Sequence, residues 1–452
     1  MLSWLFDYPV SGLLFTVVLF CVVQAWLLKK DFFTPPTVYC FSQCITLGVA
    51  YFKLDAAMTD FKLKTWLFWI GALVSFSIGA FLVRLIAKKR GNSVRIAPAE
   101  PPENYNWKLH VALTFIPFCL FLFGIYGIIQ TAGNLLLLTD NPSQWMKKDT
   151  NYGYYAVLFT SSPLCVLLFG AAAFKRFNPL KGLRIFARIM VFVTLVINLF
   201  AYPNRGTLFF SMGILIILYN YLHKRISAIW ILLLLALAAA GFVGVSSLRD
   251  QYEGNSVKSM ALEAVMDLPY KYVSNNYWNF DYAINPPNDM EYHPHTYGID
   301  FFFGMFEFLR VSGSFRYSYN WDGLFNERIE KIPGLNTASY LWEVYKDLYA
   351  PGVFLFPFFV GLALSVLHLR LCRRKFSPRA VLFYTMLIYF IGWWFFTPGY
   401  KQGIYWVWSL ILFCITTVCK GRLRYWKPSL EAKAPVLDKV DGENDCKKQV
   451  PA

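Results

Sequence analysis

Charge is what this 452-residue chain has least of: only 15% of its residues are Asp, Glu, Lys or Arg, against about a quarter in soluble globular domains. Set beside 57% hydrophobic residues and a mean hydropathy of +0.42, that scarcity excludes a disordered protein and a soluble enzyme. Cysteine is sparse where it would matter. All nine lie in apolar runs or in the strongly basic connections and tail, so a secreted disulfide scaffold and a Cys-based metal site outside the membrane are excluded. The chain also lacks a P-loop, an Asp-x-Asp nucleotide-sugar signature, a Ser-His-Asp or Cys-His grouping, and an internal repeat. Its first residues carry neither a basic n-region nor a small-residue cleavage site, so the first apolar run reads as a retained helix.

What the chain does have is apolar runs. Eleven reach the ~20 residues needed to cross a bilayer, at about 10–28, 36–52, 65–87, 109–129, 154–174, 185–202, 206–222, 226–247, 351–371, 380–397 and 402–419. The expected fold is an all-α polytopic membrane protein with about 11 or 12 transmembrane helices and one large outer loop containing short amphipathic or re-entrant helices. Residues 1–247 carry helices 1–8, 248–346 the outer loop, 347–427 helices 9–11, and 428–452 a polar, disordered cytoplasmic tail.

The net charge of +16 (43 basic, 27 acidic) is distributed unevenly. Connections carrying Lys29/Lys30, Lys88/Lys89/Arg90, Lys175/Arg176, Lys224/Arg225, Arg373/Arg374 and the tail hold 28 basic and 8 acidic residues; the alternate connections hold 15 and 19. Such a split is what the positive-inside rule requires of an outward N-terminus and an inward C-terminus. The basic excess is thus a topology signal, and nucleic-acid binding drops out.

The loop 248–346 is far longer than a bundle needs and rich in Tyr, Trp, Asn and Asp. Flat rings suit sugar CH faces, and amides and carboxylates suit hydroxyls; a belt of aromatics at the lipid surface is the competing reading. Ile299–Val311 is apolar but too short to span, and is expected to be interfacial or re-entrant. Outer cations stand beside several spans. Arg205 lies in the tight turn Tyr202-Pro-Asn-Arg-Gly-Thr207, Arg249 ends the eighth span, Arg310 and Arg316 follow the re-entrant candidate, Lys346 precedes the ninth span, and Lys401 occupies the last outer turn. Together they suggest a focused anion site fitting a lipid pyrophosphate, whereas Arg316 and Lys401 are read as snorkelling anchors. The row Asp289-Met-Glu291-Tyr-His293-Pro-His295 offers ligands at alternate positions, but its flanking prolines mark a solvated loop, and no metal or other cofactor is expected. His110, His223 and His368 fall near inner span ends, where interfacial placement is the plain reading.

Residues 336–361 carry a pattern: Asn336-Thr-Ala-Ser-Tyr-Leu-Trp-Glu-Val-Tyr345-Lys-Asp347-Leu-Tyr-Ala-Pro-Gly352, running into an apolar span ending Val360-Gly361. With the Asn204-Arg-Gly-Thr207 turn and Asn275-Asn-Tyr277, it resembles the Wzy-type oligosaccharide repeat-unit polymerases, the O-antigen and capsule polymerases. Tyr349 and Val344 depart from that pattern, standing where the family favours Gly and Leu. The resemblance implies a GT-C-like glycosyltransferase of the bacterial inner membrane, metal-independent and inverting. It would join repeat units linked to polyprenyl pyrophosphate on the outer leaflet, for O-antigen, capsule or exopolysaccharide. Its partners would be the lipid-linked oligosaccharide, membrane lipid, and a flippase and chain-length regulator of the same pathway. Asp347, Arg205 and Arg249 would be catalytic, the carboxylate as base and the arginines on the leaving pyrophosphate. Arg310, Lys346, Tyr345, Asn336, Asn276 and Tyr277 would bind substrate. A glycan ligase of the O-antigen ligase type shares this architecture and ranks second. A lipid-linked oligosaccharide flippase ranks third, because the span centres are almost free of charge.

Overall fold

The computed structural model describes residues 9–27, 31–54, 58–89, 105–135, 154–227, 229–231, 233–234, 263–285, 296–309, 337–372, 377–396 and 399–420, apart from 202–204. Its helices are α1 (Pro9–Leu27), α2 (Pro35–Ala50), α3 (Leu63–Lys89), α4 (Trp107–Ala132), α5 (Tyr154–Phe159), α6 (Ser162–Ala172), α7 (Lys181–Ala201), α8 (Arg205–Leu222), α9 (Glu263–Ile284), α10 (Phe303–Leu309), α11 (Tyr340–Leu371), α12 (Pro378–Gly392) and α13 (Gly403–Val418). No strand forms among the described residues; one antiparallel bridge joins Tyr105 to Lys420.

Four of these helices are long and apolar enough to cross a membrane: Leu63–Ala87, Trp107–Ala132, Lys181–Ala201 and Tyr340–Leu371. Five shorter apolar helices accompany them. Many large apolar side chains on these helices remain exposed, among them Leu67, Ile70, Phe81, Ile116, Phe123, Ile189 and Phe192. Water would penalise such faces and lipid would not, so the chain is membrane-associated. Ten of the eleven expected runs coincide with helices; the run 226–247 lies mostly outside the described residues.

Local chemistry sets the ends. Pro35 and Pro36 open α2 in its first turn, where an absent N–H costs nothing. Asn106 caps α4 by accepting from the Leu109 amide at 3.0 Å, and Gly133 closes it in the left-handed region at φ 79°. The expected span 154–174 is interrupted at Thr160–Ser161, just ahead of Pro163.

The tightest seam joins α3 and α11, which run parallel. A methyl on Gly71 would lie 2.1 Å from the Phe354 ring, one on Gly79 2.2 Å from the Phe358 carbonyl oxygen, and one on Gly361 2.4 Å from that of Phe76. At Gly79 and Gly361 only glycine allows the two backbones to approach so closely.

Two histidines depart from the interfacial expectation: His110 and His368 are buried. The His110 Nε2–H donates to the Leu168 carbonyl at 3.1 Å, so Nδ1 accepts from the Tyr105 hydroxyl at 2.8 Å. His368 Nε2 faces Asp31 at 3.3 Å. Asp31 also accepts from Asn220 Nδ2 (3.1 Å), the Tyr221 hydroxyl (2.6 Å) and the Phe33 amide (3.0 Å). One carboxylate thereby ties α8, α11 and the segment before α2 together. Burial pushes the Asp31 carboxyl up, but the hydrogen bonds from His368, Tyr221 and the Phe33 amide outweigh it and hold the group below the ordinary carboxylate range. His223, by contrast, is exposed, as expected of an interfacial residue.

Candidate functional site

The polar stretch Val273-Ser-Asn-Asn-Tyr-Trp-Asn-Phe-Asp281 belongs to α9, and from Ser274 to Asp281 every residue is buried. A helix buried all round must find partners for its polar groups, and α9 finds them on three sides. Asp281 Oδ1 accepts from the Lys62 amide (3.1 Å) and from the Thr65 hydroxyl, both at the start of α3. The Trp278 indole N–H donates to the Thr59 carbonyl at 3.0 Å, and Tyr270 donates to the Ala50 carbonyl at 3.1 Å, fastening α9 to the end of α2. Asn275 and Asn279 both donate to the Thr337 carbonyl, at 3.4 and 2.8 Å.

Thr337 leads into α11, whose first turns are a separate piece. Tyr349 breaks the helix with φ 61° and ψ −163°, a conformation essentially restricted to glycine. Residues 340–348 therefore form a half-helix set against the remainder. The Ser339 amide donates to the Asn276 carbonyl at 3.4 Å, and the Tyr340 amide to the Trp394 carbonyl at 3.0 Å. The hydroxyls of Tyr340 and Tyr39 hydrogen-bond one another, as do those of Tyr277 and Thr46. Tyr39 lies eleven residues from the Ala50 end of α2, about 16 Å along the axis at 1.5 Å per residue. The tip of the half-helix thus reaches well into the bundle.

The expected site residues divide as follows. Asn276, Tyr277, Tyr345, Lys346 and Asp347 come together on α9 and the half-helix, and all are buried. Tyr345 stacks between Trp342 and Tyr349. Lys346 pairs with Glu343 at 3.0 Å. Asp347 accepts three hydrogen bonds, from Thr296 Oγ1 (2.7 Å), the Gly298 amide (2.6 Å) and the Phe301 amide (3.2 Å). With the Thr296 amide on the Lys346 carbonyl at 3.2 Å, this clamps the 3₁₀ turn Asp300–Phe302 and α10, the short apolar segment expected to be interfacial or re-entrant. Arg205 begins α8; Arg249, Arg310 and Asn336 lie outside the described residues, as do Asp289, Glu291, His293 and His295. Among the described residues, no group of three His, Cys, Asp or Glu side chains could hold a metal.

Among the described residues, most of the loop aromatics are enclosed by protein and not spread over a lipid surface. Tyr277, Trp278, Tyr340, Trp342 and Tyr345 are buried, and among the loop residues described Tyr297 stands out at 85% exposure. Tyr340 stacks on Trp394 with centroids 4.4 Å apart, and Tyr39 on Phe76 at 4.1 Å.

Sequence reasoning missed four residues here. Lys64 donates to the Ile284 carbonyl (2.8 Å) and the Tyr345 hydroxyl (3.4 Å), with its ammonium over the Tyr345 ring at 5.3 Å. A lysine at a helix start opposes the helix dipole, which was the available signal. Gln43 sits inside an apolar run, where a buried amide deserves suspicion. Neither its Nε2 nor its Oε1 has a hydrogen-bond partner among the described residues, and the same holds for Ser339 Oγ and Trp69 Nε1. Each such group costs roughly 1–3 kcal/mol.

Fold and site together define an all-helical, membrane-associated protein with a polar, aromatic junction enclosed by its helices. No family model, curated protein or solved structure matches the chain.

Proposed function

We propose that the chain is an eleven-span membrane glycosyltransferase that polymerises oligosaccharide repeat units carried on polyprenyl pyrophosphate, at the outer leaflet and without a metal. The observation that carries this reading is the junction of α9 with the half-helix 340–348. Asn275, Asn276 and Asn279 meet Thr337–Tyr340 there, between Tyr and Trp rings, so segments 58 to 62 residues apart in the loop converge inside the bundle. A transporter has no need of so much loop folded into its helices, whereas an enzyme that seats two glycans does.

Outside the membrane no nucleotide is available, so a lipid pyrophosphate is the leaving group. Arg205, with Arg249, neutralises the charge that grows on it as the glycosidic bond breaks. Arg310 and Lys64 add cations on the same side. The acceptor hydroxyl attacks the anomeric carbon directly, its proton passing to a carboxylate, and the configuration inverts. Asp347 is the assigned base, held in place by the hydrogen bonds it accepts from Thr296, Gly298 and Phe301. Asn276, Tyr277, Tyr345 and Lys346, together with Asn336, orient the sugars.

The test is glycan length on a gel beside an immunoblot. Losing one partner of a buried charge contact costs ~2–5 kcal/mol, or about 30- to several-thousand-fold in rate. Arg205→Ala should therefore abolish long chains at normal protein level, and Arg205→Lys should restore little, since a point charge lacks the fork. A normal ladder from Arg205→Ala sinks the assignment.

A further inference from the structure

Gln43 is fully buried, yet its amide donates to nothing and accepts from nothing among the described residues. Ser339 Oγ and Trp69 Nε1, equally buried, share that state. These groups are linked through shared neighbours. Gln43 is one turn from both Tyr39 and Thr46 on α2, and its backbone carbonyl accepts from the Tyr277 hydroxyl at 3.3 Å. The Tyr277 ring packs on Trp69, with centroids 4.8 Å apart. Ser339 directly precedes Tyr340, whose hydroxyl meets that of Tyr39. Four uncompensated polar atoms around two linked phenols are a cost that a fold keeps only where something else satisfies them.

Their chemistry narrows what that is. The amide offers two donors and an acceptor, the hydroxyl offers both, and the indole donates. An anion would need donors backed by a cation, and a hydrocarbon would need neither. The carboxylates Asp281, Glu343 and Asp347 are engaged, with α3, with Lys346 and with the Thr296–Phe301 segment in turn. Flat rings stand alongside: Tyr39 on Phe76, and Tyr340 on Trp394. A neutral ring bearing hydroxyls on its edge and CH groups on its faces matches such a lining.

We propose that Gln43, Ser339 and Trp69 form a saccharide subsite about 10 Å along α2 from Ala50, closed in this structure by the half-helix 340–348. Tyr349, held at φ 61°, is the hinge about which that piece, with Ser339 at its tip, swings out to admit the sugar and back to seat it. This deepens the polymerase reading and rests on it, by naming where one sugar ring of the lipid-linked substrate lies.

The test uses the full chain in nanodiscs. Two probes are compared: total lipid-linked oligosaccharide extracted from the source cells, and the same extract after mild acid has stripped the sugars. The wild type should retain the sugar-bearing form at least about tenfold better than the stripped lipid. Gln43→Leu and Ser339→Ala should each bring that ratio toward one. The melting temperature of Gln43→Leu should hold or rise, because leucine removes an unsatisfied amide at similar volume. A fall in melting temperature would mean the amide is already satisfied within the chain, and a retained ratio would place the sugar elsewhere; either overturns the subsite while leaving the polymerase reading intact. A wild-type ratio of one would sink both.

Discussion

Tyr349 occupies a backbone conformation, φ 61° and ψ −163°, that side chains with a Cβ reach only under strain, at a cost on the order of 1–3 kcal/mol. Glycine is what this geometry asks for. Comparing Tyr349→Gly with Tyr349→Ala isolates the strain. Both variants lose the ring, which is 45% exposed and stacks on Tyr345 at 5.3 Å and 22°. Both therefore forfeit the same contribution, about 0.5–1.5 kcal/mol. Glycine alone relieves the backbone, against an entropic cost of roughly 0.5–1 kcal/mol in the unfolded chain. Tyr349→Gly should accordingly be more stable than Tyr349→Ala by about 1–2 kcal/mol and lie close to the wild type. Thermal unfolding of the full chain in one lipid composition, followed by intrinsic fluorescence, gives the order. An alanine variant as stable as the glycine variant would refute the strained hinge and with it the separate half-helix.

Two further substitutions probe buried carboxylates. Asp347→Asn puts an N–H where three donors converge, so it should cost roughly 1–3 kcal/mol and weaken the clamp on Thr296–Phe302; a loss of chain elongation with unchanged stability would mean that the carboxylate acts only as a base. Asp31 is held below the ordinary carboxylate range, so its contribution is complete above the unfolded value, near 3.8, and fades as pH falls below it. Asp31→Asn should lower stability at neutral pH by on the order of 3–5 kcal/mol and flatten the acid limb of the melting curve, and an unaltered acid limb would rule out Asp31 as its source.

How much of this could be read beforehand depended on the range over which each feature is determined. Apolar runs are local, and helices α1 to α8 and α11 to α13 begin or end within a few residues of the expected runs, except where α11 starts early at Tyr340. The break at Tyr349 left no trace, because a tyrosine does not announce a positive φ. The loop's interior left none either. Ser274–Asp281 reads as surface because more than half of it is polar, and it is buried because its partners, Thr59, Lys62, Thr65 and Thr337, come from distant segments. His110 and His368 look interfacial for the same reason: the Leu168 carbonyl and Asp31 lie 58 and 337 residues away in sequence. Asp347 stood out by its neighbourhood in the motif, but nothing near it announces Thr296, Gly298 and Phe301 as its ligands. Gln43 was passed over because one amide in an apolar run leaves the hydropathy of that run almost unchanged.

The most direct measurement of the central claim is reconstitution. Purified full-length protein in lipid vesicles is given the lipid-linked repeat units of its source cells, with EDTA present throughout, and products are separated by length. Polymers of several repeat units, with release of polyprenyl pyrophosphate and undiminished yield in EDTA, are the predicted result. Repeat units that stay single, or that elongate only when Mn²⁺ or Zn²⁺ is restored, would contradict it.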